Sequence, residues 1–230
     1  MDNAVTIEVA NSGGRKAILT WGDLDINSSD TIDFASSGGI YLNKTSEGDV
    51  SNIAGTITGH ANATVIFVNT NGIALTGTVQ SISNLMLSTT DLGITAATDE
   101  ALIANPDSYT ITPAGTSTVS IGGSSAYTLG SKLRVVSGGA ITIGGDITAD
   151  GGIKISSNDG ALDSTTNRIS TTGTLTISTG SGNIDIDTSA GTADVTSTGS
   201  INVSDSGALT ITGTAWDNAS VTVGAGALTV

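Results

Sequence analysis

Cysteine is absent from the 230 residues, which excludes disulfides, thiolate catalysis and Cys-based zinc sites together. Histidine occurs once, at His60, so any Ser-His-Asp relay has a single imidazole to pass through. His60 sits in Gly59-His60-Ala61-Asn62, which reads as a surface turn. Aromatics make up 3% of the chain and charged residues 12%, against roughly a quarter charged in an ordinary globular domain. Burial must therefore come mainly from Ile, Val, Leu and Ala. No apolar run approaches the ~18 residues that a membrane-crossing helix needs. Met1-Asp2-Asn3 has neither the basic start nor the apolar core of a signal peptide. Basic residues number 7 against 21 acidic ones, a net charge of −14 that repels phosphate backbones and argues against a nucleic-acid partner.

What is abundant is Gly, at 31 positions, along with Asn, Ser and Thr around short β-branched triplets. Ile141-Thr142-Ile143, Ile153-Lys154-Ile155, Leu175-Thr176-Ile177, Ile184-Asp185-Ile186, Ile201-Asn202-Val203 and Val221-Thr222-Val223 each place a polar residue between two apolar ones. Alternation sends the two apolar side chains to one face and the middle one to the other. This regularity, with a positive mean hydropathy, argues against disorder. Links between triplets are mostly longer than two-residue hairpin loops, and a meander would need a second sheet to cover its apolar face. Coiling solves both problems. The expected fold is all-β: a right-handed parallel β-helix with an N-terminal cap at Val5–Val9 and a small extra-helical excursion. An antiparallel β-sandwich is the alternative. The excursion falls at Asp99–Ala114, which holds both prolines (Pro106 and Pro113) and a possible helical turn over residues 99–104. Residues 1–105 are expected to form the core of the helix and 106–230 its continuing repeats, in one elongated domain. The chain stops on Leu228-Thr229-Val230 in mid-pattern, so it is expected to be the N-terminal part of a longer fibre.

The stretch from Ser51 to Asp91 carries more specific signals. Ser51-Asn52-Ile53-Ala54-Gly55 has the order S-x-I-x-G, followed by the run Val65-Ile66-Phe67-Val68 and then Asn69-Thr70-Asn71-Gly72-Ile73. Upstream lie Gly14 to Trp21, Asp23-Leu24-Asp25-Ile26, Thr31-Ile32-Asp33-Phe34 and Tyr41-Leu42-Asn43-Lys44. Taken in this order, these elements resemble the secretion domain of two-partner secretion exoproteins, the family of filamentous haemagglutinin and the high-molecular-weight adhesins. The resemblance covers about residues 14–92. Leu24 stands where an aromatic is commoner, and Thr70 replaces the proline of the family's Asn-Pro-Asn-Gly-Ile turn. Tyr41–Lys44 falls where the adhesin branch tends to carry an Asn-Arg pair.

The resemblance implies an N-terminal secretion domain that is recognised by the periplasmic domains of a cognate outer-membrane β-barrel transporter. The chain would pass the periplasm unfolded, where a lack of thiols is an advantage, and fold as a β-helix at the surface of a Gram-negative bacterium or beyond it. The residues it singles out for transporter recognition or for the structural turn are Asn69, Asn71, Gly72, Ile73, Ser51, Asn52, Ile53, Gly55 and Asn43. A host-cell receptor or glycan is a further expected partner, no cofactor or metal is expected, and the chain is expected to be a monomer. Two other functions stay open: a polysaccharide-active β-helix enzyme, and a plain adhesive fibre with no export role.

Other constellations have bland readings. Asp23/Asp25 and Asp185/Asp187 occupy alternate strand positions, a spacing of ~7 Å that inverting glycoside hydrolases use, but acidic outward positions also keep a β surface soluble. Asn158-Asp159-Gly160 with Asp163 lacks calcium-loop spacing and reads as a turn. Thr174/Thr176 and Thr210/Thr212 are too unevenly spaced for an ice-binding array. Asn-x-Ser/Thr sequons at Asn27, Asn43, Asn62, Asn202 and Asn218 follow from composition.

Overall fold

The computed structural model describes residues 4–8, 16–45, 48–90, 101–106, 108–123, 126–212, 219–224 and 227–229. Expectations that touch Val9, Gly14, Arg15, Asp91, Asp99, Glu100, Asn218 and Val230 fall outside the described residues. Every strand pairing among the described residues is parallel, and the chain winds as a parallel β-solenoid of about eight turns.

Strands recur on three faces in strict rotation. β1 (Ala4–Ile7) lies on the third face and β2 (Lys16–Trp21) on the first. Ile26 then bridges to the second face, and β3 (Thr31–Phe34) returns to the third. β4 (Ile40–Thr45), β5 (Ser51–Ile53) and β6 (Thr56–Gly59) repeat the first, second and third faces, as do β7 (Thr64–Val68), β8 (Ile73–Leu75) and β9 (Thr78–Gln80). β10 (Asn84–Ser88) lies on the first face, before the excursion. β11 (Val119–Ile121), β12 (Tyr127–Leu129) and β13 (Lys132–Ser137) resume the rotation, followed by β14 (Ile141–Ile143), β15 (Ile147–Ala149) and β16 (Gly152–Ser157). Two longer strands then run around the corners, β17 (Leu162–Thr179) and β18 (Ile184–Thr196), and short ones follow: β19 (Ile201–Asp205), β20 (Leu209–Thr212), β21 (Ala219–Val223) and β22 (Leu228–Thr229).

Register follows from the triplets. On the first face Tyr41, Val65, Leu85, Leu133, Ile153, Leu175 and Ala193 stack one above the next. On the second, Ile53, Leu75, Ile121 and Ile143 do the same. All of these are buried in one continuous interior core. The scarce aromatics concentrate in the early coils, where the Phe34 ring lies 4.8 Å from Tyr41 and 6.3 Å from Phe67, centroid to centroid. β1 takes the terminal place in a four-stranded sheet with β3, β6 and β9, so the N-terminal segment closes that sheet as one more parallel rung.

The excursion leaves after β10 and returns at β11. Residues 101–104 form one helical turn, and Leu102, Ile103 and Ile111 pack on the outer surface of the first face against Leu42, Ile66, Val68, Met86 and Val136. The solenoid thus has a second, external apolar cluster. Among the described residues no helix is long and apolar enough to cross a membrane.

Candidate functional site at the Asn69 corner

The corner between the first and second faces is built from the Asn-Thr-Asn-Gly turn. The chain leaves β7 fully buried, and Asn69, only 1% exposed, turns its side chain into the corner. Its Nδ2 donates to the Asp49 carbonyl (2.9 Å) and to Ser51 Oγ (2.8 Å) in the preceding coil, while Oδ1 accepts from the Asn71 amide (2.9 Å). Gly72 N donates to the Asn69 carbonyl, and the Gly72 carbonyl accepts from Ser51 N at 3.1 Å. Gly72 has φ +132°, where a side chain would be strained and would also meet Val50. Without proline at position 70, the turn is held by these Asn hydrogen bonds. One buried amide therefore satisfies backbone groups from two coils.

Ser51, Asn52, Ile53, Asn69, Asn71, Gly72 and Ile73 come together here, since β5 and β8 pair directly. Ser51, Ile53, Asn69, Gly72 and Ile73 are buried, and Asn52 and Asn71 are exposed. Asn52 N donates to Asp25 Oδ1 at 2.7 Å, tying the coil to the one before it. The other two expected residues lie elsewhere. Gly55 sits at the next corner, pressed against the Asn27 and Asp30 carbonyls. Asn43 is fully buried in the interior of the first face, in register between Leu19 and Phe67. There its Oδ1 accepts from Trp21 Nε1 (3.1 Å) and its Nδ2 donates to the Ile66 carbonyl (3.2 Å).

Sequence reasoning missed how this corner continues. Below Asn69, Thr89, Ser137, Ser157, Thr179 and Ser197 follow at the ends of successive first-face rungs, and all are buried. Thr89 and Ser137 both donate to the Ser117 carbonyl at 3.0 Å, Ser157 to Gly139 at 2.8 Å, and Thr179 and Ser197 to Gly182 at 2.7 Å. Asn69 is thus the first member of a polar ladder that satisfies corner carbonyls coil after coil. The signal lay in the hydroxyl residue at the end of each first-face rung, followed directly by glycine at Ser137 and Thr179 and within three residues by glycine at Ser157 and Ser197.

The carboxylates of both pairs are engaged in hydrogen bonds or an ion pair. Asp23 and Asp25 lie outside any strand, which corrects the expected alternation: Asp23 Oδ1 accepts from Asp25 N and Asp25 Oδ1 from Asn52 N, so both cap backbone. Asp185 and Asp187 share β18, but β17 bulges between Ser164 and Arg168 opposite the Ile186–Asp187 step, which puts a corner between them. Asp185 accepts from Asn202 Nδ2 at 2.8 Å, and Asp187 pairs with Arg168 at 3.3 Å. Asp159 Oδ1 accepts from Ser181 N and Oγ, both at 3.3 Å, in the turn of the next coil. Thr176 stands in register between Lys154 and Asp194, not between threonines. His60 is exposed in its turn, and the sequon at Asn43 is buried. Among the described residues no cluster of three or more His, Cys, Asp or Glu could hold a metal ion.

Comparison with curated proteins gives no match. A solved structure, the HMW1 secretion domain from Haemophilus influenzae, is similar at 15% identity and a TM-score of 0.48, covering 97% of this chain and 81% of that one. The family model of the TPS secretion domain matches residues 1–227, nearly the whole chain, well past the stretch of motifs that first suggested it. By that match the chain belongs to the TPS secretion domain family.

Proposed function

We propose that this secretion domain is the N-terminal part of a large exoprotein, an adhesin, which a cognate outer-membrane β-barrel transporter recognises through its periplasmic domains. The family match across residues 1–227 is the observation that carries this reading, and the assembly of the Ser51–Ile73 motifs into one corner supports it. Five of the seven residues at that corner are buried, so a transporter meets their side chains only before the coils close. Recognition accordingly acts on the extended chain, in which the Asn-Thr-Asn-Gly segment is accessible, and folding then withdraws it. Residues 1–105 carry recognition and 106–230 extend the stack.

Coil-by-coil closure outside the cell suits this task. Each new rung buries aliphatic side chains against the previous one, worth roughly 25 cal/mol per Å² of apolar surface. Backward slippage would have to reopen that contact. Adhesion to a receptor or glycan belongs to the exoprotein as a whole.

The test is export of an exoprotein lacking residues 51–91, co-expressed with its transporter. Export and binding to the purified periplasmic domains should both be lost. Unchanged export would refute the reading.

A further inference from the structure

The outer surface of a solenoid sheet is ordinarily polar, yet Leu42, Ile66 and Met86 stand in register on the outside of β4, β7 and β10 and are 0–3% exposed. They are covered by the excursion. Leu102 and Ile103 of the helical turn are fully buried on them, with Ile111 alongside. Hydrogen bonds tie this strap to the solenoid. Ala114 N donates to Thr90 Oγ1 at 3.2 Å, and Arg134 Nη1 donates to the Pro106 carbonyl at 2.8 Å. Arg134 is itself 8% exposed and stands in register with Met86.

The order of these parts along the chain matters. The strap follows β10, but part of its seat, Arg134 and Val136, lies on β13, which joins the first face only after β11 and β12 have been laid down. A guanidinium bonded to a backbone carbonyl in a largely buried setting is a strong, directional tie.

We infer that residues 101–106 and 108–114 form a latch, closed over the outer face of β4, β7 and β10 only when β13 stacks and Arg134 grips the Pro106 carbonyl. Until then the early coils carry an uncovered apolar stripe. Completion of β13 thus sets the stability of rungs laid down before it. This inference stands on the packing alone and does not rest on the export reading.

The absence of cysteine supplies the test, since one introduced thiol is the only one in the full chain. Met86→Cys places it on the outer face under the strap, and Leu87→Cys places it in the interior as a control. Maleimide labelling under native conditions should be slow for both. Adding Arg134→Met, or separately Leu102→Ala, should speed labelling of Met86→Cys by about tenfold or more and leave Leu87→Cys slow. Lys154→Met, a neighbouring cation with no bond to the strap, should leave both rates unchanged. Equal labelling of Met86→Cys with and without Arg134, or an equal rise at Leu87→Cys, would overturn the latch.

Discussion

Thr188 lies inside the solenoid, in register between Ile169 and Asp205, with its Oγ1 buried and without a hydrogen-bond partner. Asp205 beneath it is also buried, but its carboxylate accepts from the Ala190 and Gly207 amides. The asymmetry makes Thr188 a flaw in the interior, because an unmet buried hydroxyl costs about 1–3 kcal/mol. Thr188→Val is expected to stabilise the protein by about 1 kcal/mol and raise Tm by about 2–4 °C. A lower Tm in thermal unfolding would contradict this. Tyr127 is the converse case: it is buried, and its hydroxyl donates to the Leu75 carbonyl at 3.1 Å. Burial raises its pKa above 10.0, with the Gly122 backbone acting the other way. The unfolded chain therefore ionises this phenol first as pH climbs past 10, so its contribution is intact below that value and is lost above it. Between pH 9 and 11, Tm of Tyr127→Phe should fall less steeply than that of the parent chain. Parallel slopes would refute the assignment.

At the scale of elements, coil spacing is set at the corners. A Cβ on Gly160 would collide with the Gly139 backbone of the preceding coil, whereas one on Gly191 would meet nothing within 4 Å. Gly160→Ala should cost about 3 kcal/mol and Gly191→Ala less than about 0.5 kcal/mol, measured by denaturant unfolding. Similar costs at the two positions would mean that the corners are not tightly stacked. The rungs themselves were legible because alternation reports a buried and a solvated face: Ile141-Thr142-Ile143 is buried, exposed, buried. Uninterrupted runs carried a second message that alternation could not give. Val65-Ile66-Phe67-Val68 and Leu85-Met86-Leu87 are apolar throughout because both sides of those strands are covered, the inner by the core and the outer by the strap. The prolines marked the strap but not its docking partner, which is remote in sequence. Of the candidate site, the Ser51–Ile73 pairing could be anticipated from motif order. Asn43 could not, since nothing in Tyr41-Leu42-Asn43-Lys44 says that an amide will replace an aliphatic residue in the core and bond Trp21. Asp23 and Asp25 looked like strand alternation because the sequence pattern of a backbone cap and of a strand surface is the same.

At the scale of the whole molecule, stability is divided among interfaces between neighbouring coils, with the aromatic cluster of Phe34, Tyr41 and Phe67 in the early ones. The early coils thus combine the largest interior side chains, the Asn69 corner and the strap-covered face, while later coils repeat aliphatic triplets and hydroxyl corners. This asymmetry suits the proposed export, in which recognition of the early segment precedes the stacking of later coils. The most direct measurement is to fuse an unrelated passenger behind residue 230 and express it with the cognate transporter. The passenger should reach the medium only when the transporter is present. A passenger that stays in the periplasm, while the same transporter still exports its natural exoprotein, would contradict the account.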